Sequence, residues 1–165
     1  VLVRGFCLAA REEPRLHLIL LGGGSQAALL RQIIAEFGME ERVTFAGLVN
    51  YDQLADFHRR ASLYVSASHS DGTSISLLEA LACGTPVLVS DIPGNQEWIR
   101  SGETGWLFRD GNPTALAQGI LHAVQSPEEI RVLRSAGRRL AEERADWKKN
   151  FRKLLEAYQL AVSTP

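Results

Sequence analysis

Much that would point to a metal, a membrane or a nucleic acid is missing from this chain. Cysteine is nearly absent: Cys7 and Cys83 stand far apart, with no Cys-x-x-Cys spacing, in 165 residues. Both fall in apolar helical stretches, which reads as buried free thiols in a reducing compartment and argues against a disulfide framework or a thiolate metal site. His17, His58 and His122 share no short spacing that suggests metal ligation. No apolar run approaches the roughly eighteen residues that cross a bilayer, and no signal peptide is recognisable, so the expected location is cytoplasmic. A net charge of −1 leaves no electrostatic footprint for nucleic acid. Lysine is confined to Lys148, Lys149 and Lys153. Internal repeats and low-complexity linkers are absent. There is no initiator methionine, and the chain begins directly in a helical pattern, as a piece cut from something longer would.

What is present is ordinary globular material: 45% apolar and 22% charged residues, enough length for one domain with its own core. Strand and helix patterns alternate. Val1–Arg11 is helical, with Leu2, Phe6 and Ala9 on one face. Leu16–Leu21 is a short apolar strand closed by Gly22, Gly23 and Gly24. A helix over Ala27–Phe37, a strand over Val43–Ala46, a helix over Gln53–Arg60 and a strand over Leu63–Ser66 follow. Then come a helix from Ser74 to Ala82, a strand over Val87–Val89, a short helix over Asn95–Ile99 and a last strand near Gly105–Phe108. Three helices, Pro113–Ser126, Pro127–Arg144 and Trp147–Val162, complete the chain. Strands separated by helices imply βαβ units and a parallel sheet of about five strands.

The segment from His69 to Ser90 carries most of the information. Asp71 lies on a glycine-containing loop, and Glu79 lies inside the helix that the loop opens, with seven residues between them. Gly72 gives the loop backbone freedom, and Thr73 or Ser74 is placed to cap the helix. The free N–H groups of Ile75 and Ser76, with the helix dipole, form a site for an anion such as phosphate. If Thr73 is the cap, Glu79 stands roughly 9 Å up the helix at about 1.5 Å per residue. One carboxylate then flanks the anion and the other is within reach of a ribose, whose vicinal hydroxyls suit an ionised carboxylate. The arrangement fits a nucleoside diphosphate sugar. The competing reading is two solvated carboxylates with no shared task.

Asp71, Glu79, Ala80, Ala82, Gly84, Pro86, Val87, Ser90 and Asp91, followed by Pro93-Gly94-Asn95-Gln96-Glu97, resemble the signature of retaining, GT-B-type glycosyltransferases of group 1, or family 4. Leu18–Gly24, Val43-x-Phe45-x-Gly47, Ala61–Ser68 and Gly102–Phe108 extend the likeness over nearly the whole chain. One residue departs from the pattern: the first acid is usually Glu, and Asp71 is one methylene shorter. The resemblance implies a Rossmann-like α/β domain, a parallel sheet flanked by helices, forming the C-terminal, donor-binding half of a GT-B fold over residues 1–145. It implies that Asp71 holds sugar hydroxyls and Glu79 the ribose. It further implies that Gly22, Gly24, Gly72, Thr73, Ser74, Ile75 and Ser76 surround the donor, that Gly47 and Leu48 border the base, and that neither metal nor cofactor is required. The implied partners are a nucleotide-sugar donor and an N-terminal acceptor domain of the same protein. In this family a segment before residue 1 supplies the domain's first strand and a loop with an Arg and a Lys for the diphosphate. A fragment without these parts is expected to be inactive alone.

The glycine cluster has a rival reading. Gly22-x-Gly24-x-x-Ala27 fits the dinucleotide fingerprint, but that fingerprint needs an acid at the end of the next strand. Gly47-Leu48 stand there, and Glu40 and Glu41 lie at the wrong end. Asp91 and Glu97 read as capping and local ion pairing, His69 as loop polarity, and Arg138-Arg139 as a solvated helix face. Trp147, Phe151, Leu154, Leu155 and Tyr158 form an amphipathic stripe within residues 146–165. The stripe packs on this domain, on the acceptor domain, or on a membrane surface as a peripheral contact. Two other functions stay open: a related GT-B enzyme of the epimerase or phosphorylase kind, and a non-catalytic nucleotide-binding module. The acid-x7-Glu spacing disfavours the epimerase, and the scarcity of lysine leaves no obvious anchor for the pyridoxal phosphate of a phosphorylase.

Overall fold

The computed structural model describes residues 1–163, so the last two residues of the 146–165 segment lie outside the described residues. Five parallel strands alternate with helices: α1 (Leu2–Glu12), β1 (Leu18–Leu21), α2 (Ala27–Phe37), β2 (Val43–Gly47), α3 (Tyr51–Arg60), β3 (Tyr64–Ser66), α4 (Ile75–Ala82), β4 (Val87–Ser90), α5 (Pro93–Gln96), β5 (Trp106–Phe108), α6 (Pro113–Gln125), α7 (Pro127–Arg144) and α8 (Trp147–Ser163). The α/β class with a parallel, helix-flanked sheet is as the sequence implied. The boundaries follow local chemistry. Gly38 takes φ 66° and ends α2 as a left-handed cap. Prolines at the first turn start α6 and α7. A capping box between Asn50 and Gln53 opens α3 at Tyr51, ahead of the expected Gln53. Pro93 likewise starts α5 before the expected Asn95.

The expected single five-stranded sheet is instead two ladders. β1 pairs with β2, and β3-β4-β5 form the other, with β4 central. Between them, Leu20 of β1 and Val65–Ser68 at the end of β3 line one slot of about 420 Å³, together with Val1–Arg4 of α1 and Leu30 and Ile33 of α2. The slot therefore lies between two strand edges that have no hydrogen-bonded neighbour among the described residues. Leu20, and Val65–Ser68 at and just beyond the end of β3, all lie near the carboxyl ends of their strands.

Three clusters make the core. Leu77, Ala80, Leu81, Val87, Val89, Trp98, Ile99 and Ala141 fill one face of the three-stranded ladder. Leu88, Trp106, Phe108, Leu116, Ile120 and Leu133 fill the other. Val3, Phe6, Cys7, Ala10, Ile33, Ile34 and Val43 hold α1 and α2 to β2. Helix α1 joins the clusters: Ala9 enters the second while Phe6 and Cys7 enter the third, so it is buried on two sides and not on the single face its pattern suggested. Gly5 makes this crossing close, since a Cβ there would come within 2.7 Å of the Leu116 side chain. Burial raises the pKa of the Cys7 thiol, and Cys83 is half-buried beside the Ala55 carbonyl; both are free, as expected.

Candidate functional site

Every site residue expected from sequence follows the carboxyl end of a strand on a loop or helix start, save Gly47, the last residue of β2, and Glu79, one turn further into α4. β1 ends in Gly22, whose φ of 99° suits glycine, and its N–H donates to the Gly47 carbonyl at 2.7 Å. The two glycine turns after β1 and β2 are thus brought together. Gly24 follows in the same exposed loop, and nothing within 4 Å would meet a Cβ at Gly22, Gly24, Gly47 or Gly72. These backbones face open space. Leu48 next to Gly47 is 89% exposed, and Tyr51, which sequence reasoning did not single out, is 79% exposed beside it.

On the other ladder, Ser74 is the N-cap of α4, settling the choice between Thr73 and Ser74. Glu79 then lies about 7.5 Å along the axis from the cap at 1.5 Å per residue. The Ser74 side chain accepts no capping hydrogen bond from a backbone N–H of the first turn, whose N–H groups lack intrahelical partners. Its hydroxyl lies 3.2 Å from that of Ser76, and the Ser76 hydroxyl lies 2.8 Å from the Tyr64 hydroxyl on β3. Ile75 is 72% exposed at the helix start. Asp71, Gly72 and Thr73 are exposed in the loop, and Glu79 is half-buried on the same helix face as Ser76, three residues on.

Glu79 has a neighbour across the α3–α4 contact. His58 is buried, its Nε2 has no hydrogen-bond partner, and its ring lies against that of Tyr64. Burial lowers the His58 pKa, while the nearby Glu79 carboxylate acts in the opposite direction. Burial, the larger of the two effects, thus favours the neutral imidazole.

Glu97 and Arg138 make the ion pairs expected of them, whereas Asp91 caps no helix, the N-cap of α5 being Ile92. Gln96 donates to Asp91 at 2.7 Å, and Glu97 pairs with Arg144. Arg138 pairs with Glu142 on an exposed face of α7. No group of three or more His, Cys, Asp or Glu that could hold a metal occurs among the described residues. His69 differs from its reading as simple loop polarity: its Nδ1 lies 2.7 Å from Asp110 Oδ1, forty-one residues away. No sequence signal marks that pair. In α8 none of the described side chains is buried; Trp147 is 70% and Tyr158 61% exposed. No helix among the described residues is long and apolar enough to cross a membrane.

Two parallel ladders flanked by helices, with glycine turns following one and an open helix start following a strand of the other, have the α/β architecture of the Rossmann-like half of a GT-B fold, the fold of the structural neighbours. The chain belongs to the glycosyl transferases group 1, matching that family over residues 3–140. It is similar to a D-inositol 3-phosphate glycosyltransferase of Rhodococcus opacus (strain B4), with 32% identity over 170 residues, 98% of this chain and 38% of that protein. Among solved structures it is similar to sucrose-phosphate synthase from Thermosynechococcus elongatus, with TM-score 0.88 and 27% identity over 99% of this chain and 43% of the other. It is also similar to the pneumococcal O-GlcNAc transferase GtfA in complex with UDP and GlcNAc, with TM-score 0.80 and 28% identity over 93% of this chain and 32% of the other. The chain spans well under half the length of these relatives.

Proposed function

We propose that this chain is the donor-binding half of a retaining glycosyltransferase that moves a sugar from a nucleoside diphosphate sugar, in the cytoplasm, to an acceptor held by another domain. The observation that carries this reading is the open N-terminus of α4 with Asp71 on its loop and Glu79 one turn further in. The diphosphate lies over the N–H groups of Ile75 and Ser76. Glu79 accepts from the ribose hydroxyls, and Asp71 accepts from hydroxyls of the sugar. The base rests by Gly47, Leu48 and Tyr51, while Gly22 and Gly24 close the opposite wall. Transfer breaks the bond between the anomeric carbon and a phosphate oxygen, so the demand is to stabilise charge on the departing diphosphate. Fixed N–H donors meet it without reorganisation. No side chain here is assigned as a nucleophile, and neither metal nor cofactor is invoked.

The slot between β1 and β3 belongs to the same reading. An extended segment preceding α1 fills it, pairing with both free edges and completing one sheet. Its following loop would bring further cationic groups to the diphosphate. The exposed stripe of α8 docks on the acceptor domain. On this view the chain by itself transfers no sugar.

The test is a thermal-stabilisation screen of UDP, GDP and ADP and their sugar conjugates. A ligand at a hundred times its Kd stabilises by about 2.7 kcal/mol. UDP compounds are the expected hits, since the neighbouring GtfA structure holds UDP. No stabilisation by any of them, at millimolar concentration, would count against the assignment.

A further inference from the structure

Three loops leave the three adjacent strands β3, β4 and β5 at their carboxyl ends, and they are tied to one another. In the second, Gly94 of α5 lies so close beneath the first that a methyl group there would overlap the backbone carbonyl oxygens of both Asp71 and Gly72. These contacts are with main chain, which has no rotamer by which to move aside. Next to Gly94, the buried Asn95 donates to the Ser90 carbonyl at 2.8 Å, and the Ser90 hydroxyl donates to the Ser68 carbonyl at the start of the same loop. From the third loop, Asp110 takes the Nδ1 of His69 at 2.7 Å. The Asp71 loop is thus held from below by its peptide groups and from the side by His69. Asp71 itself has no side-chain partner in the hydrogen bonds and ion pairs of the described residues, so its carboxylate direction depends on the backbone beneath it.

We propose that residues 68–73 form a preset sugar clamp, seated on Gly94 and latched by His69 to Asp110, with Gly94 and Asp110 acting as positioning residues for Asp71. The inference rests on the donor-binding reading for its ligand but not for its mechanics. Its consequence is a division within the donor. The diphosphate and ribose are held by α4, which has its own core contacts through Leu77, Ala80 and Leu81. Only the sugar depends on the clamp. A short acid on a firmly held loop presents its carboxylate in one place, and a positioning error of about 1 Å at such a group costs up to about a hundredfold.

Gly94→Ala and Asp110→Ala test this on the chain as it stands, with His69→Ala and the Asp110→Ala/His69→Ala pair as a cycle. The first readout needs no ligand. Backbone amide order parameters at Gly72 and Thr73 should lie near the rigid value of about 0.85 in the parent and move towards about 0.6 in Gly94→Ala and Asp110→Ala. The second readout is calorimetric titration with UDP and with UDP-N-acetylglucosamine. The ratio of the two affinities should fall about tenfold in either variant, with UDP itself nearly unchanged. The two latch substitutions should be non-additive, since each removes the same contact. Unchanged order parameters in Asp110→Ala would overturn the proposal, as would equal weakening of both ligands. If neither ligand binds the parent chain, the donor-binding reading fails, and the order parameters alone decide the clamp.

Discussion

β1 and β4 are four-residue strands of similar composition, Leu-Ile-Leu-Leu and Val-Leu-Val-Ser, and by sequence β1 is the more apolar. In the fold their positions are reversed. All four residues of β4 are buried, whereas Ile19 and Leu21 of β1 are 48% and 38% exposed. β4 has a strand on each edge and a cluster on each face; β1 has one strand, one cluster and an open slot. Burial is therefore set by place in the ladder and not by residue type. The same contrast runs beneath the site: Asp71 and Glu79 follow a strand of the ladder with the buried centre, and Gly22 and Gly47 stand at the ends of the ladder with the open slot.

The largest test of this contrast is in the core. Leu88→Ala, in the middle of the closed ladder, should destabilise by about 2–5 kcal/mol, while Ile19→Ala should cost well under half as much. Urea unfolding monitored by circular dichroism measures both, and similar losses would erase the distinction between the halves. Next comes the site beside the ladder with the buried centre. Glu79→Gln keeps shape but removes the charge proposed to hold ribose, and should weaken UDP and UDP-sugar alike by about 1.5–3 kcal/mol. Asp71→Asn should weaken the UDP-sugar alone. Calorimetric titration of both variants decides it, and parallel losses in Asp71→Asn would end the division between ribose and sugar. Gly5→Ala then probes the seam where α1 joins the halves. Overpacking against the fully buried Leu116 should cost about 1–3 kcal/mol and be visible as a lowered Tm. The smallest effect is expected in α8, where Trp147→Ala should change the stability of this chain by about 0.5 kcal/mol or less. A larger loss would mean the stripe packs here after all.

Where local chemistry was decisive, the sequence was easily read. α2 runs from Ala27 to Phe37 and α7 from Pro127 to Arg144 as expected, because Gly38 and Pro127 act on their own neighbours. α3 starts two residues ahead of where its apolar period implies, because the Asn50–Gln53 capping box sets its first turn. The open start of α4, with an acid before it and another inside it, was legible from spacing and from family resemblance. Two candidates were not. Tyr51 has no pattern that marks it as exposed beside Leu48, and the His69–Asp110 pair joins loops forty-one residues apart.

The sequence by itself determined the order of elements, their parallel class, the glycine turns and the acid-x7-Glu placement on one helix, since each depends on dihedral preference, capping or periodicity over a few residues. Only the tertiary structure decided that the strands form two ladders with a slot between them. It likewise decided that α1 is buried on two sides, that α8 stays exposed, and that Gly94 lies under the Asp71 peptide. These depend on which surfaces meet across tens of residues, where a single missing or added neighbour changes burial without changing any local preference.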